Sequence, residues 1–220
     1  MKVALCLSGL TGGSAGKDGK GESLDLIEPY NSVKENILDS NDVDVFMHSW
    51  SSESKSELIE IYKPKKYKFE EQIKFDEHHK KHIVKSRFYS NRKSLNLKKE
   101  YEIKNKFKYD WVMISRFDLV WFNKLIFDEY DNRYFYASNW NDNGSYGLGP
   151  YDRQTNAGNG LLDLWFFSSS NNMDKFAEGC QLETLDNFFN TCMHLINVIS
   201  GHRVSESIVN LYELELKHTK

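Results

Sequence analysis

Short apolar runs recur along this chain, separated by stretches whose hydrophobic positions fall at helical spacing. Residues 3–8 are rich in strand-compatible side chains and are closed by Gly9, the pattern of a buried parallel strand. Residues 9–21 hold six of the thirteen glycines, and that backbone entropy excludes regular structure and marks a loop. Pro29 opens a helix predicted to reach about Leu38, with Val33 and Ile37 one turn apart. Residues 43–47 read as a second buried strand, which sets His48, Ser49 and Trp50 just past its end. Ser52 or Ser54 then caps a helix whose Leu58, Ile59 and Tyr62 face inward before Pro64 stops it.

Lysines alternate with aromatics over 66–69, as on a partly exposed strand. From about 79 to 107, Val84, Phe88, Leu95, Leu97 and Tyr101 predict an amphipathic helix with one break or shift of phase. Residues 111–114 are the most legible strand, entered from Tyr109 and Asp110 and delivering Ser115, Arg116, Phe117 and Asp118 at its end. Further strands are predicted over 134–138 and 164–167, separated by a polar, glycine-rich loop over 139–160. That length points to a functional or disordered segment. Ser170 and Asn171 cap a helix over 172–179, and two helical stretches follow near 185–199 and 205–214.

Strands alternating with helices predict an α/β fold with an open, mainly parallel sheet covered on both faces, in one domain over 1–220. Ligands of such sheets bind outside the carboxyl ends of the strands. The Gly9 loop and residues 48–50, 116–118 and 139–142 should therefore converge on one cleft.

The chain is 40% hydrophobic and 28% charged, enough for a core and too polar for a membrane protein. Its net charge of -3 supplies no global attraction to nucleic acid. Lys63, Lys65, Lys66 and Lys68 read as a solvated basic face. Cys6, Cys180 and Cys192 fit neither a zinc pattern nor a disulfide framework, which points to a reducing, cytoplasmic compartment. The first residues lack a signal-peptide cleavage pattern, and no run approaches the roughly 18 apolar residues of a membrane span.

The glycine-rich loop invites comparison with a phosphate cradle, but Gly12 to Lys17 has too few residues between its glycines, and Asp18 stands where serine or threonine is required. A P-loop kinase or sulfotransferase is demoted accordingly. The Arg116-Phe117-Asp118 segment has two readings: an ion pair closing the strand, or groups that handle a diphosphate, with Asp118 on a metal and Arg116 on phosphate oxygens. Arg87, Asn91 and Ser94 form a polar stripe facing either such a ligand or solvent. Trp50, Trp140 and Tyr151 either stack on a ring of the ligand or pack the loops, and His78, His79 and His82 read as a solvated face. Asp163 precedes the apolar run LWFF, as a strand-end or turn hydrogen bond, a general base, or a direct contact to a bound ligand.

The succession VALCLSG, DVFMHSW, YDWVMISRFDLVWF, YFYASNW and LDLWFFSSSNNMDKFAE resembles a group of small glycosyltransferases of viruses and bacteria with a GT-A-like nucleotide-sugar-binding fold. The resemblance spans roughly residues 1 to 180 and implies a nucleotide-sugar donor and a glycan or glycoprotein acceptor. It also implies a divalent cation, Mn or Mg, held by a D-x-D element. Arg116 replaces the first aspartate of that element and Asp118 matches the second. On this basis donor contacts are expected from Ser8, Gly9, Leu10, His48, Arg87, Arg116, Asp118 and Asn139. Catalytic roles fall to Asp163 and Arg116, and metal ligation to Asp118, with His202 joining from the tail. A catalytically inactive sugar-nucleotide or glycan-binding module is the alternative.

Overall fold

The computed structural model describes residues 1–11, 25–75, 79–138 and 162–179. They form an α/β fold around one six-stranded sheet. The strands are β1 (Val3–Gly9), β2 (Val43–Ser49), β3 (Lys66–Phe69), β4 (Trp111–Arg116), β5 (Tyr136–Ser138) and β6 (Leu162–Ser168), in the order β3-β2-β1-β4-β6-β5. Strands β1 to β4 pair in parallel, while β6 runs antiparallel to both its neighbours. The sheet is therefore mainly parallel, as expected, with one reversed strand near its edge.

Period-two alternation sorts β1 between two cores. Val3, Leu5 and Leu7 join Val45, Met47, Met113, Trp165 and Phe167 on one face, against Val33 and Ile37 of the first helical segment and Leu58 and Tyr62 of the second. Ala4 and Cys6 face the other way, toward Phe88, Leu95, Met173 and Phe176. The covering helices are α1 (Ile27–Val33), α2 (Lys55–Tyr62), α3 (His79–Asn105) and α4 (Ser170–Gly179). None of the described helices is long and apolar enough to cross a membrane.

The expected helix over 29–38 is present but starts at Ile27 and widens into a π-helical turn, Lys34–Leu38. Asn36 within this turn and Asn41 just after it donate to the carbonyls of Trp121 and Leu125, and Asn41 also accepts from the Phe127 amide. These bonds pin the irregular chain after β4. Ahead of α2, the 3-10 turn Ser52–Ser54 forms, but neither serine side chain caps the helix. The helix ends at Tyr62, with Lys63 at φ 45° before Pro64.

Helix α3 is continuous for 27 residues, so of the expected break or shift of phase it shows the shift. The apolar phase is interrupted because polar residues continue the buried face: Ser86, Ser90, Asn91, Ser94, Lys98 and Glu102 are all buried. Under this face β1 presents only Ala4, Cys6 and Ser8, so the helix approaches on small side chains. At its far end the Lys98 ammonium, fully buried, donates to Glu102, Ser170 and Asp174 at 3.0, 2.8 and 2.7 Å. Ser170, expected to cap α4, is instead committed to Glu102, and Ser169 accepts the Asn172 amide in that role.

Candidate functional site

The order β3-β2-β1-β4 means that the chain winds outward from β1 to β3 and then returns through α3 to β4 on the other side of β1. The carboxyl ends of β1 and β4 therefore form a topological switch point, where an open sheet leaves a crevice. Register aligns the crevice: Ser8 lies beside both His48 and Arg116. Three of the four expected segments meet at one sheet edge, and the fourth, 139–142, lies outside the described residues. Ser138, at the end of β5, pairs with Leu162, and Ser115 of β4 with Trp165, so the first residues of β6 border the same edge.

A cleft open to solvent lies there, lined by Ser8, Gly9, Leu10, Trp50, Gln72, His82, Ser86, Arg87 and Arg116. Gly9 has φ +117°, a conformation open essentially to glycine alone. Its carbonyl accepts from Ser49 Oγ at 3.0 Å, which ties the mouth of β1 to that of β2. Arg87 reaches in from α3, and its NH1 donates to the Ser8 carbonyl and hydroxyl, each at 3.3 Å. Ser8 Oγ in turn donates to Asn91 at 2.7 Å. The Arg87-Asn91-Ser94 stripe thus faces the sheet edge, and not solvent. Two of its members are completely buried, and Arg87 is the one that reaches the cleft.

Arg116 and Asp118 form a bidentate pair across the turn after β4, with Nε to Oδ1 at 2.7 Å and NH2 to Oδ2 at 2.5 Å. The pair is partly open, the side chains being 28% and 17% exposed. Of the two, Arg116 borders the cleft.

His48 departs from its expected role as a donor contact. It is the penultimate residue of β2, fully buried, and both ring nitrogens are engaged, Nδ1 with Ser90 Oγ at 2.7 Å and Nε2 with Glu70 at 2.9 Å. Burial holds it neutral down to about pH 4, against the opposing pull of Glu70. A neutral ring that donates from Nε2 and accepts at Nδ1 satisfies both partners. Burial also raises the Glu70 carboxyl, but bonds from Lys68, His48 and Tyr89 outweigh it and hold the group down at about 2. Trp50 stacks on Tyr89 at 5.1 Å and meets His48 edge-on at 4.8 Å, so its ring packs the loop, and only its margin lines the cleft. Sequence reasoning misses Ser86, Gln72 and His82 as lining residues. The helical spacing that places Ser86 on the same face as Ser90 is the available signal.

Asp163 lies within β6, not before it; its side chain, like all of Asn139 and His202, lies outside the described residues. The loop over 139–160, Cys180, Cys192 and the tail helices lie outside them as well. A divalent cation requires several oxygen ligands. Among the described residues no cluster of three metal-ligating side chains forms, and both oxygens of Asp118 are turned to a guanidinium. Among the described residues Asp118 thus stands without a second carboxylate beside it, and no step is derived through a cation.

No protein-family model matches this chain, and no curated protein matches it.

Proposed function

We propose that this chain is a glycosyltransferase of GT-A-like fold that takes a nucleotide sugar at the carboxyl edge of its sheet and passes the sugar to a hydroxyl of a glycan or glycoprotein. One observation carries the reading: Gly9, Arg87 and Arg116 converge on a single cleft at the switch point between β1 and β4. A diphosphate gathers negative charge as it leaves the anomeric carbon. Fixed guanidinium groups in a partly desolvated cleft stabilise that charge more in the transition state than in the ground state.

In this step the acceptor oxygen bonds to the anomeric carbon, the bond from that carbon to the diphosphate oxygen breaks, and its electron pair leaves with the diphosphate. The acceptor proton passes to a carboxylate, for which Asp163 is the candidate, since its backbone belongs to the strand bordering β4 at the same edge. A cytoplasmic location belongs to the proposal and rests on cysteines that match no disulfide framework. The closed Arg116–Asp118 pair favours one second reading, a module that binds sugar nucleotides without turning them over.

Thermal unfolding of the full chain against a panel of nucleotide sugars and their nucleoside diphosphates, with and without manganese, tests the reading. At a hundredfold excess over Kd a true donor stabilises by about 2.7 kcal/mol. A panel in which no nucleotide sugar raises Tm under either condition would refute both enzyme and binding module.

A further inference from the structure

Resting on the donor-site reading above, we infer that two guanidinium groups hold the diphosphate in place of a divalent cation, and that Asp118 is the internal anion the diphosphate displaces from Arg116. The cleft lining supports this first. Among its described residues it contains Arg87 and Arg116 and no carboxylate, a surface built for an anion. The two arginines arrive from different elements, Arg87 from α3 and Arg116 from the end of β4, so they can flank a ligand. Beside Arg87, Gly9 presents no side chain; a Cβ there would lie 3.7 Å from Arg87 Nη1.

The geometry of Arg116 supplies the second argument. Its planar fork already grips a two-oxygen anion, with contacts of 2.7 and 2.5 Å to Asp118, and the same fork matches two oxygens of a phosphate. Asp118 sits two residues along the same turn, so it can hold the fork in shape when the cleft is empty and yield it when a more highly charged anion arrives. A cation approaching Asp118 would instead meet a guanidinium at hydrogen-bond distance and be repelled by it.

The two roles predict opposite signs for one substitution. If Asp118 is a metal ligand, Asp118→Asn weakens binding; if it is a competing internal anion, Asp118→Asn tightens it. Titration calorimetry of inorganic pyrophosphate into the full chain, in EDTA and then with manganese, reads this directly. We expect wild type to bind in EDTA, manganese to change Kd little, and Asp118→Asn to tighten binding several-fold, about the scale of one exposed ion pair. Arg116→Gln and, separately, Arg87→Gln should each weaken it by about tenfold or more, the effect of losing a charged donor; two variants on different elements keep the test open should one fail to fold. Binding by wild type only with manganese, or weaker binding by a folded Asp118→Asn, would overturn the inference. A nucleotide-sugar panel run on the same samples separates the two claims. Pyrophosphate binding with no nucleotide-sugar response leaves a site for free diphosphate and removes the donor reading, whereas a nucleotide-sugar response that requires manganese keeps the donor reading and removes this inference.

Discussion

At Gly9 the backbone requirement and the cleft coincide, and the two can be separated experimentally. Alanine there would make only an ordinary contact with Arg87, so its cost comes from forcing a side chain to φ +117°. Gly9→Ala is expected to destabilise the fold by about 1–3 kcal/mol in urea denaturation; an unchanged midpoint would mean that the turn is relaxed some other way. Arg116→Lys keeps the charge but loses the planar fork. Under the proposed function it should lower turnover of the donor by at least about tenfold while leaving the denaturation midpoint near wild type. Arg116 and Gly9 are legible in the sequence because each stands one serine past an apolar run, the position where a buried strand emerges from the core. His48 defeats the same logic. The apolar run ends at Met47, but β2 continues to Ser49, and a histidine inside a strand can be buried once Ser90 and Glu70 satisfy both nitrogens. Those partners come from elsewhere in the chain and leave no local trace.

Helix α3 is the element whose sequence pattern and structure diverge most. Its hydrophobic positions change phase, yet the helix does not break, because a buried polar network occupies the remaining core-facing positions. Periodicity counts apolar residues and is blind to a lysine that lies in the core with two carboxylates. Lys98 joins α3 to α4 through Asp174 and Ser170, and Glu102 also accepts the Tyr109 amide at the approach to β4. Removing the ammonium leaves the buried Glu102 carboxylate without its cation, while Asp174 keeps Lys108 at 3.5 Å and Lys99 at 3.9 Å. Lys98→Met is therefore expected to cost about 3–5 kcal/mol in denaturant unfolding, and a loss below about 1 kcal/mol would show that the network is hydrated or relaxes. The short strands are easier to read: β3 is found over the residues predicted, since alternating lysines and aromatics fit an edge strand whose charges discourage further pairing.

For the whole molecule, the mainly parallel α/β sheet follows from the alternation of apolar runs, whereas the reversed direction of β6 does not, because strand direction depends on a connection that carries no strand pattern. The buried His48 gives the entire fold a pH dependence. An unfolded chain protonates this histidine near 6.5, but the folded one does so only near 4, so between those values the unfolded state binds more protons and stability falls as pH falls. The loss reaches about 3 kcal/mol by pH 4. Glu70, held down near 2 from its ordinary 4.5, adds a further loss only below that upper value. Urea midpoints measured from pH 7 to 4 should decline for wild type and decline less for His48→Gln; parallel curves would clear the histidine of this role. The central claim, that the cleft at the β1–β4 switch point transfers sugar from a nucleotide sugar, is tested most directly by measuring nucleoside diphosphate release from a donor panel. The assay uses the full chain with glycan acceptors, for wild type, Arg116→Gln and Asp163→Asn. We expect release from at least one donor by wild type, accelerated by acceptor and reduced at least about tenfold in each variant. No release from any donor, or release unchanged in both variants, would contradict it.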